Sequence, residues 1–478
     1  MAFIEYHRDY HHLHKMWQKC RDVLLGEDRI KERSQTYLPK LRGQDDNDYA
    51  AYLLRGAFYN ATFKTSAALS GMAVRKMPRV VDSTPAVNSW LSSSFDEYGH
   101  DVWRFTTRLV EEKVNTGRVG VLVDWKPLGG NGTLADQASK TPYVTMYKAE
   151  QIINWHWTEN RLDLVILQTI EEEFDSFDYG TEEVEYQLVL SFDENGYYKQ
   201  DTYRDGAFQK TVYPLRNGQK LREIPFFFLD MDDTADKPPL YDIVNLNLRH
   251  YRLYADFAHL LHFTSIPTLV ITGAQLESGQ ELAIGSEKAM VFTNPEATAT
   301  WIKAGSDGAE PIKAELLELE NRMAAIGAQI LQDRVDRETA QAAQLRNAYN
   351  TSFLSLLVQE ISTVVTQVIM FGAWWMGKPL PDSFRFELDT DFNTVPLPAA
   401  ELQVLVQAYQ AGTISLETFI YNLERGEYLP PGTDINEEME RIEAAEPQPT
   451  QFALELTGST APRQVRQPKG VRDDNEPR

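Results

Sequence analysis

One group of carboxylates in the 478-residue sequence has a spacing that could support metal chemistry. Glu387, Asp389 and Asp391 alternate along FRFELDTDF, residues 384–392, which predicts a strand with its three acids on one face. Three such carboxylates can bind a hard divalent cation, as in a nuclease. Carboxylates roughly six to seven ångströms apart along a strand are more ordinarily a solvated face. Both interpretations stay open from the sequence.

The histidines near the N-terminus are the second candidate for metal chemistry. They are His7, His11, His12 and His14. The spacing of four between His7 and His11, and of three between His11 and His14, could place two imidazoles on one helix face, where they can hold zinc or nickel. A complete site would need a further ligand such as Glu5 or Asp9. Exposed histidines on a helix are the simpler interpretation, so we expect no metal site.

Nucleotide binding and nucleophilic catalysis find no support in the motifs. The run VGVLVDW, residues 119–125, resembles a strand that ends in a magnesium-binding acid, but the phosphate loop GxxxxGK[ST] is absent. The glycines of PLGGNGT, residues 127–133, have no accompanying lysine. Cys20 has no marked partner, and no Ser-His-Asp arrangement can be assigned. We therefore expect no enzyme activity, no catalytic residue and no cofactor.

The composition is that of a folded, strongly acidic protein. Hydrophobic residues make up 42% and charged residues 24%, and the formal net charge is −23. Such a charge repels nucleic acid and disfavours a conventional DNA-binding protein. A single cysteine excludes an internal disulfide and indicates a reducing compartment. The N-terminus lacks a signal-peptide core, and the apolar run 361–377 is short and contains Ser, Thr and Gln, so it predicts a buried helix rather than a membrane span.

The elements of the first half predict a mixed α and β fold. Helices are expected over 46–75 and over 97–117, the latter ending at Gly117. A buried strand follows in RVGVLVDW, and residues 142–229 are rich in β-forming residues, with turns at ENG and RNG. The fold class expected from this order is α+β.

The second half is organised around two long helices that bracket a β-rich insert. The first is expected over 237–265 and the second over 312–332, with short strands between them. The first helix has two adjacent apolar stripes, and the second stripe consists of Ile243, Leu246, Leu253, Phe257 and Leu260. A narrow polar strip, which includes Asp256, completes its circumference. Two stripes indicate a helix buried against more than one partner.

Helices dominate the remaining sequence. A charged break, DRVDRE at 333–338, precedes a long helix over about 339–376. The strand at 384–392 follows, and then a helix pair begins near 400 in which Ser415 is placed to cap the second helix. The tail from about 446 has no apolar periodicity and is expected to be disordered.

Several of these segments together resemble the portal proteins of tailed bacteriophages, in particular a portal-like family of short-tailed phages. They are the long helix after KPPL, the β insert, the second long helix, RETAQAAQLRNAYNTSFLSLL, AYQAGTISLETF, GRVGVLVDW and IPFFFLD. The resemblance covers about residues 5–445. It depends on the order of elements rather than on one diagnostic motif.

This resemblance implies a portal-type subunit with a mixed wing, a long two-helix stem, a small β-rich clip and a C-terminal helical crown. The implied parts are a wing at 1–236, stem helices at 237–265 and 312–332, a clip at 266–311, a channel loop at 333–338, a long helix returning to the wing at 339–396, a crown at 397–445 and a disordered tail at 446–478. Roughly 28 residues of stem helix would span about 42 Å, enough to cross a capsid shell.

The resemblance also implies a function and partners. The subunits would form a homo-oligomeric ring, normally a dodecamer, at the portal vertex of the virion capsid after assembly in the host cytoplasm. Double-stranded DNA would pass through it during packaging and ejection without sequence-specific binding. Terminase motor, major capsid, scaffolding and tail adaptor proteins would bind it, and no membrane would be involved. Arg334 and Arg337 would lie at the DNA channel, and Leu246, Leu253, Phe257 and Leu260 at the subunit interface. A nuclease of DNA metabolism and a virion scaffold without a channel are the alternatives.

Overall fold

The structure is a computed structural model that describes most of the chain. The described residues are 5–125, 141–159, 161–174, 180–229, 237–265, 268–273, 294–302, 308–327, 340–390, 392, 399–425, 428–429, 438–439 and 441–442. The chain divides into two compact units, Met1–Phe392 and Asn393–Arg478. The channel loop and the tail expected from the sequence lie outside the described residues.

Helices and strands are mixed along the first unit. Its described helices are α1 (Tyr10–Leu25), α2 (Glu27–Glu32), α3 (Asp46–Arg55), α4 (Ala61–Ala73), α5 (Pro85–Ser93), α6 (Val102–Thr116), α7 (Tyr241–Ser265), α8 (Ala309–Ile326) and α9 (Ala340–Trp375). Its described strands are β1 (Arg79–Val81), β2 (Val119–Asp124), β3 (Tyr143–Lys148), β4 (Ile152–Thr158), β5 (Arg161–Phe174), β6 (Thr181–Phe192), β7 (Tyr198–Arg204), β8 (Ala207–Val212), β9 (Leu215–Arg216), β10 (Gln219–Lys220), β11 (Phe226–Phe228), β12 (Thr268–Thr272), β13 (Thr298–Ile302) and β14 (Arg385–Glu387).

The strands pair in local antiparallel groups, which confirms the α+β class. A five-stranded sheet has the order β4-β5-β6-β7-β8, and a three-stranded sheet has the order β11-β2-β3. The pairs β1–β14, β9–β10 and β12–β13 form separate two-stranded ribbons. Every pairing between these named strands is antiparallel, so hairpins rather than helical crossovers connect most neighbours.

The single helix expected over 46–75 is wrong, because the structure has two helices there. α3 ends before Gly56, whose backbone is extended, and Asn60 then caps α4 by accepting a hydrogen bond from the Phe63 N–H at 2.9 Å. Asn at a cap offers the backbone an alternative to a continuous helix. A Cβ at Gly56 would lie only 3.1 Å from the Tyr251 ring of α7, so the break also allows α7 to approach closely.

The boundaries of α6 follow from its caps. The helix begins at Val102, later than the sequence indicated, because the Asp101 carboxylate accepts the Arg104 N–H at 2.7 Å as the N-cap. It ends at Gly117, as expected, with that residue in the left-handed conformation at φ 78°. β2 follows, and its first five residues are buried, which confirms the predicted buried strand.

The apolar run predicted as a buried helix lies inside α9. The segment Leu354–Trp375 is long and apolar enough to cross a membrane, and half of its most apolar window is buried within the fold. Its hydroxyl groups have protein partners, because Ser362 Oγ accepts the Leu388 N–H and Thr366 Oγ1 accepts the Phe386 N–H, both at 3.0 Å. These bonds hold the segment containing β14 against α9, in the main apolar core.

The second unit contains the helix pair that the sequence predicted. Its helices are α10 (Ala399–Gln410) and α11 (Leu416–Arg425). Ser415 caps α11, because its Oγ accepts the Thr418 N–H at 3.1 Å, which confirms that prediction. The rings of Tyr409 and Phe419 stack at 4.8 Å across the pair.

Candidate functional site

The helices α7 and α8 form a hairpin that corresponds to the two long helices expected from the sequence. α7 has 25 residues and is therefore about 37 Å long, somewhat shorter than expected. α8 contributes Leu316, Leu319 and Met323 as its buried face. Two polar contacts join the helices: Arg249 to Glu315 at 2.7 Å and His250 Nε2 to Glu320 at 3.2 Å.

The inner half of α7, residues 241–252, is enclosed by its own chain. Ile243 belongs to the main apolar core, while Val244, Leu248 and Tyr251 belong to a second core cluster formed with α1, α2 and α3. Much of the helix's apolar width in this half is thus explained by two clusters within one subunit. The sequence-based argument that one chain cannot cover this helix is therefore wrong for the inner half.

A buried polar residue, Asn247, fixes this half of α7 and was absent from both predicted stripes. Its Oδ1 accepts the N–H of Thr62 at 3.1 Å and the Thr62 hydroxyl at 3.0 Å. Its Nδ2 donates to the Tyr59 carbonyl at 2.7 Å. All of these bonds reach the start of α4, so Asn247 sets the register of α7 against that helix. An asparagine between Val244 and Tyr251, one turn from each, is the signal that could have revealed it.

The outer half of α7, residues 253–265, is covered much less completely. Only Ala255 and Thr264 are buried there. The larger apolar side chains are half-buried on several sides of the helix: Leu253, Tyr254, Phe257, Leu260 and Leu261. Phe263 is 58% exposed. The sequence predicted that apolar side chains not fully covered by the same chain would surround most of the whole helix; the structure shows this only in the outer half.

The four residues predicted for a subunit interface do not share one environment. Leu246 packs against the main core and thus has partners in its own chain, whereas Leu253 is half-buried at the start of the outer half. Leu260 lies close to Gly308, at the start of α8. Phe257 contacts the ring of Tyr254, at 6.5 Å between centroids. The three residues of the outer half, Leu253, Phe257 and Leu260, are therefore better candidates for an interface than Leu246.

The ribbon β12–β13 follows the outer half of α7 and also presents apolar side chains. Every residue of β13 is exposed. Trp301 is 56% exposed, Ile302 51% and Val270 36%. Trp301 and Ile302 are adjacent and thus point to opposite faces of the ribbon. Apolar groups are consequently exposed on both faces of a two-stranded sheet.

One titratable group of the outer half has a perturbed pKa. Burial, and secondarily the charge of Arg55, lowers the pKa of His259 below its usual value. Its ring contacts Tyr52 at 5.3 Å and Phe263 at 4.7 Å. Asp256 accepts a hydrogen bond from the Tyr52 hydroxyl at 2.6 Å, so it is not a purely solvated residue of a polar strip.

Of the three predicted metal residues, Glu387 and Asp389 are described, and only Glu387 lies on a strand. β14 ends at Glu387, before Asp389, and Asp389 pairs with Lys76 at 2.8 Å. Asp391 lies outside the described residues, as do the predicted channel residues Arg334 and Arg337. Among the residues that the structure does describe, no group of three or more His, Cys, Asp or Glu side chains is arranged to hold a metal ion.

Of the N-terminal histidines, His11 and His14 lie three residues apart on one helix, whereas His7 lies outside it. His7 precedes α1, which begins at Tyr10, and its ring stacks on Trp155 at 3.9 Å. His11 and His14 lie on α1, where each contacts the ring of Tyr10. The predicted spacing of four between His7 and His11 is therefore not a helical spacing.

Comparisons with known proteins give structural similarity and one partial family match. No curated protein matches the chain. Among solved structures, a chain from the neck of a native GTA particle computed with C12 symmetry aligns at 12% identity and a TM-score of 0.38, covering 81% of this chain and 95% of that one. A chain from the neck of an empty GTA particle computed with C6 symmetry aligns at 13% identity and 0.41, covering 82% and 95%. Residues 239–376, from the start of α7 to the end of α9, match a family described as a domain of unknown function, DUF4055.

Proposed function

We propose that this chain is the subunit of a bacteriophage portal, a ring at one capsid vertex through which double-stranded DNA is packaged and ejected. The observation that carries the proposal is the α7–α8 hairpin, whose outer half and adjoining ribbon expose apolar side chains. The order of elements along the chain supports it, since the resemblance to portal proteins rests on that order. Motor and tail proteins would dock on such a ring.

The ribbon supports assembly because a two-stranded sheet is marginally stable alone in water. Its strands pair over five residues, from Thr268 opposite Ile302 to Thr272 opposite Thr298. Burial of Trp301 on one face and Ile302 on the other by protein partners would stabilise the ribbon. One partner can cover one face, so two neighbours are needed for both. A ring supplies two neighbours to every subunit.

The second copy of this chain is the occupant we propose for these surfaces. A head-to-tail contact between unlike surfaces closes into a ring when its rotation permits. In such a ring the outer half of α7 would contact a neighbouring hairpin on each side. The half-buried apolar girth from Leu253 to Leu261 suits a helix between two neighbours better than a helix on a free surface.

The charge of the chain suits passage of DNA rather than retention. A net charge of −23 per subunit would give the ring a strongly acidic field. Basic proteins hold DNA by neutralising its phosphates and releasing counterions. An acidic channel lacks that source of affinity, so DNA can slide through it when a separate motor supplies the work.

Particle size and shape test this proposal directly. Light scattering of the purified chain should give an assembly of many subunits, and negative-stain images should show rings with a central hole. A well-folded monomer of 54.6 kDa at micromolar concentration would overturn it. Assemblies without a hole would favour the alternative, a virion scaffold that has no channel.

The channel role has its own test, which rests on the sequence. Arg334 and Arg337 occupy the charged break between two helices. Replacing both by alanine should leave ring formation intact and reduce the amount of DNA packaged or retained in particles. Normal packaging in the double variant would mean that these arginines make local ion pairs with Asp333 and Asp336 instead.

A further inference from the structure

A tight β-hairpin brings a group of basic side chains to the C-terminal end of α9. The strands β9 and β10 are joined by Asn217 and Gly218, both with positive φ, at 49° and 78°. This pair forms the hairpin turn that Asn-Gly sequences favour. The Trp375 indole N–H donates to the Leu215 carbonyl at 3.0 Å and thereby fixes the hairpin to the helix.

The basic side chains of this hairpin are held by aromatic rings. The guanidinium of Arg216 lies 3.9 Å from the centre of the Trp374 ring, and its Nε donates to the Trp374 carbonyl at 2.8 Å. Lys220 Nζ lies 3.4 Å from the centre of the Tyr213 ring. Arg222 lies 5.0 Å from the centre of the Tyr197 ring. Unlike a carboxylate, an aromatic ring orients a cation without neutralising its charge.

These cations keep most of their charge available to a ligand. Within the described ranges, neither Arg216 nor Arg222 has a carboxylate at ion-pair distance, and Lys220 has only Asp193 at 3.9 Å. The Asp193 carboxylate already accepts the N–H groups of Asn195 and Tyr197, each at 2.9 Å. A cluster of three cations with so little compensation is unusual on a chain of net charge −23.

The three cations line one cavity, which we call the basic pocket. Its volume is about 380 Å³, and its lining also includes Gln219, Glu223 and Trp374. That volume is within the range of small-ligand sites. Because the Arg216 guanidinium covers one face of the Trp374 indole, that face cannot stack on a nucleobase. The pocket is thus built for the charge of a ligand rather than for an aromatic group.

We propose that the basic pocket binds a ligand carrying two or more phosphoryl groups. Arg216 uses only Nε within the protein and keeps its terminal nitrogens for a bidentate contact. Lys220 and Arg222 add donors from a second strand and from the segment after it. A single carboxylate offers two oxygens to these donors, whereas linked phosphoryl groups offer enough oxygens for all three. The ligand could be free polyphosphate or a nucleic-acid backbone, and neither depends on the proposed portal function.

The test is a binding titration of the full-length chain with inorganic pyrophosphate at about 0.1 M salt, where distant charges are screened. The variant Lys220→Ala with Arg222→Ala removes two exposed cations while leaving the Arg216 anchor intact. We expect its affinity to fall by about tenfold or more. The matched control, Arg104→Ala with Lys210→Ala, removes the same charges from exposed sites outside the pocket and should bind as the parent does.

A second variant changes affinity in the opposite direction. Glu223 places a carboxyl group in the lining, so Glu223→Gln should tighten pyrophosphate binding. A single-stranded oligonucleotide of mixed sequence, without terminal phosphates, distinguishes the two sources of phosphoryl groups. Binding with the same loss in the double variant indicates a nucleic-acid backbone, and binding of pyrophosphate alone indicates a free polyphosphate.

Three results would overturn the proposal. The first is no pyrophosphate binding by the parent chain. The second is an equal loss of affinity in the matched control, which would show that the overall charge of the chain, and not the basic pocket, determines pyrophosphate binding. The third is preferential binding of a glutamate-rich peptide, which would make the pocket a protein contact.

Discussion

Two helices of the first unit carry long apolar runs, and the chain encloses only one of them. In α9, Ile361, Val365 and Ile369 are at most 1% exposed and belong to the main core. In the outer half of α7, the large apolar side chains from Leu253 to Leu261 are half-buried, and none is enclosed. The run in α9 is the more apolar of the two. The helices also differ in the number of elements that the fold places around each.

The difference indicates two sources of stability. α9 lies between α6, the β11-β2-β3 sheet and β14, so its burial contributes to the stability of one subunit. The outer half of α7 has α8 beside it and the exposed ribbon beyond it. If the proposal is correct, burial of that half contributes to assembly instead. Substitutions in the two regions should therefore affect different measurements.

The largest effect is expected from a charge placed inside α9. Val365→Asp buries an unpaired carboxylate in the main core, which costs several kcal/mol and approaches the whole stability of a domain. We expect the variant to lack cooperative thermal unfolding by circular dichroism. Leu356 lies on the same helix and is 58% exposed, so Leu356→Asp is the matched control and should fold. A folded Val365→Asp chain would show that α9 is not essential to the core.

The next effect concerns assembly rather than folding. Phe257→Asp adds a charge to the outer half of α7, where the side chain can still reach water in a single subunit. The midpoint of thermal unfolding of the separated subunit should change little, by the equivalent of about 1 kcal/mol or less. Ring formation should fail, because the same charge would be buried at every interface, at several kcal/mol each.

Negative-stain images and light scattering measure that loss of rings. The control is Leu54→Asp, a similar change on α3 at a side chain that is 77% exposed. Normal rings with Phe257→Asp would contradict the proposed interface. Loss of rings in both variants would show that added charge in general, rather than the outer half of α7, controls assembly.

The success of sequence reasoning followed the range of the interactions involved. Ser415 and Gly117 were predicted correctly because a cap depends on residues within one turn. The turn at Asn217 and Gly218 depends on backbone conformation alone and was also found. Each of these signals lies within a few residues of its effect.

Features that depend on distant partners were missed. Nothing within 46–75 shows that Gly56 must allow a close approach by Tyr251, almost 200 residues later. Asn247 was missed because its partners, Tyr59 and Thr62, lie just before and within α4, far away in the sequence. The periodicity of α7 gave its apolar width, but periodicity cannot distinguish cover by the same chain from cover by a neighbour.

A third prediction sharpens the comparison by stabilising the core alone. Burial raises the pKa of Asp124 from 3.8 to about 6. A carboxyl whose folded pKa is raised contributes stability below pH 4, and that contribution is lost as the pH rises through 6. Asp124→Asn should therefore raise the free energy of unfolding by about 2 kcal/mol at pH 7.5 and hardly change it at pH 4.

Thermal unfolding at the two pH values measures this change. Asparagine keeps an acceptor for the Trp125 N–H, which now donates to Asp124 at 2.7 Å. Asp124→Ala removes that acceptor, so its free energy of unfolding at pH 7.5 should rise by less than that of Asp124→Asn. Asp124 lies at the end of β2 and not on the α7–α8 hairpin. The subunit concentration needed for ring formation should therefore stay the same in both variants. A shift in that concentration would mean that the two regions are coupled.

The smallest effect is expected at Asp256, where the outer half of α7 contacts α3. The sequence placed this residue on a polar strip, which predicts that Asp256→Asn is nearly silent. In the structure, however, the hydroxyl of Tyr52 donates a hydrogen bond to Asp256 at 2.6 Å, and Tyr52 is only 1% exposed. Asparagine can still accept that bond through its carbonyl oxygen, so only the charge assistance is lost, and the free energy of unfolding should fall by about 1 kcal/mol. Asp256→Leu leaves the Tyr52 hydroxyl without an acceptor and should cost more, about 1–3 kcal/mol. Thermal unfolding measures both losses, and rings should form in the Asn variant because its side chain keeps the same size. Failure of Asp256→Asn to form rings would place this side of α7, rather than the side of Phe257, at the contact between subunits.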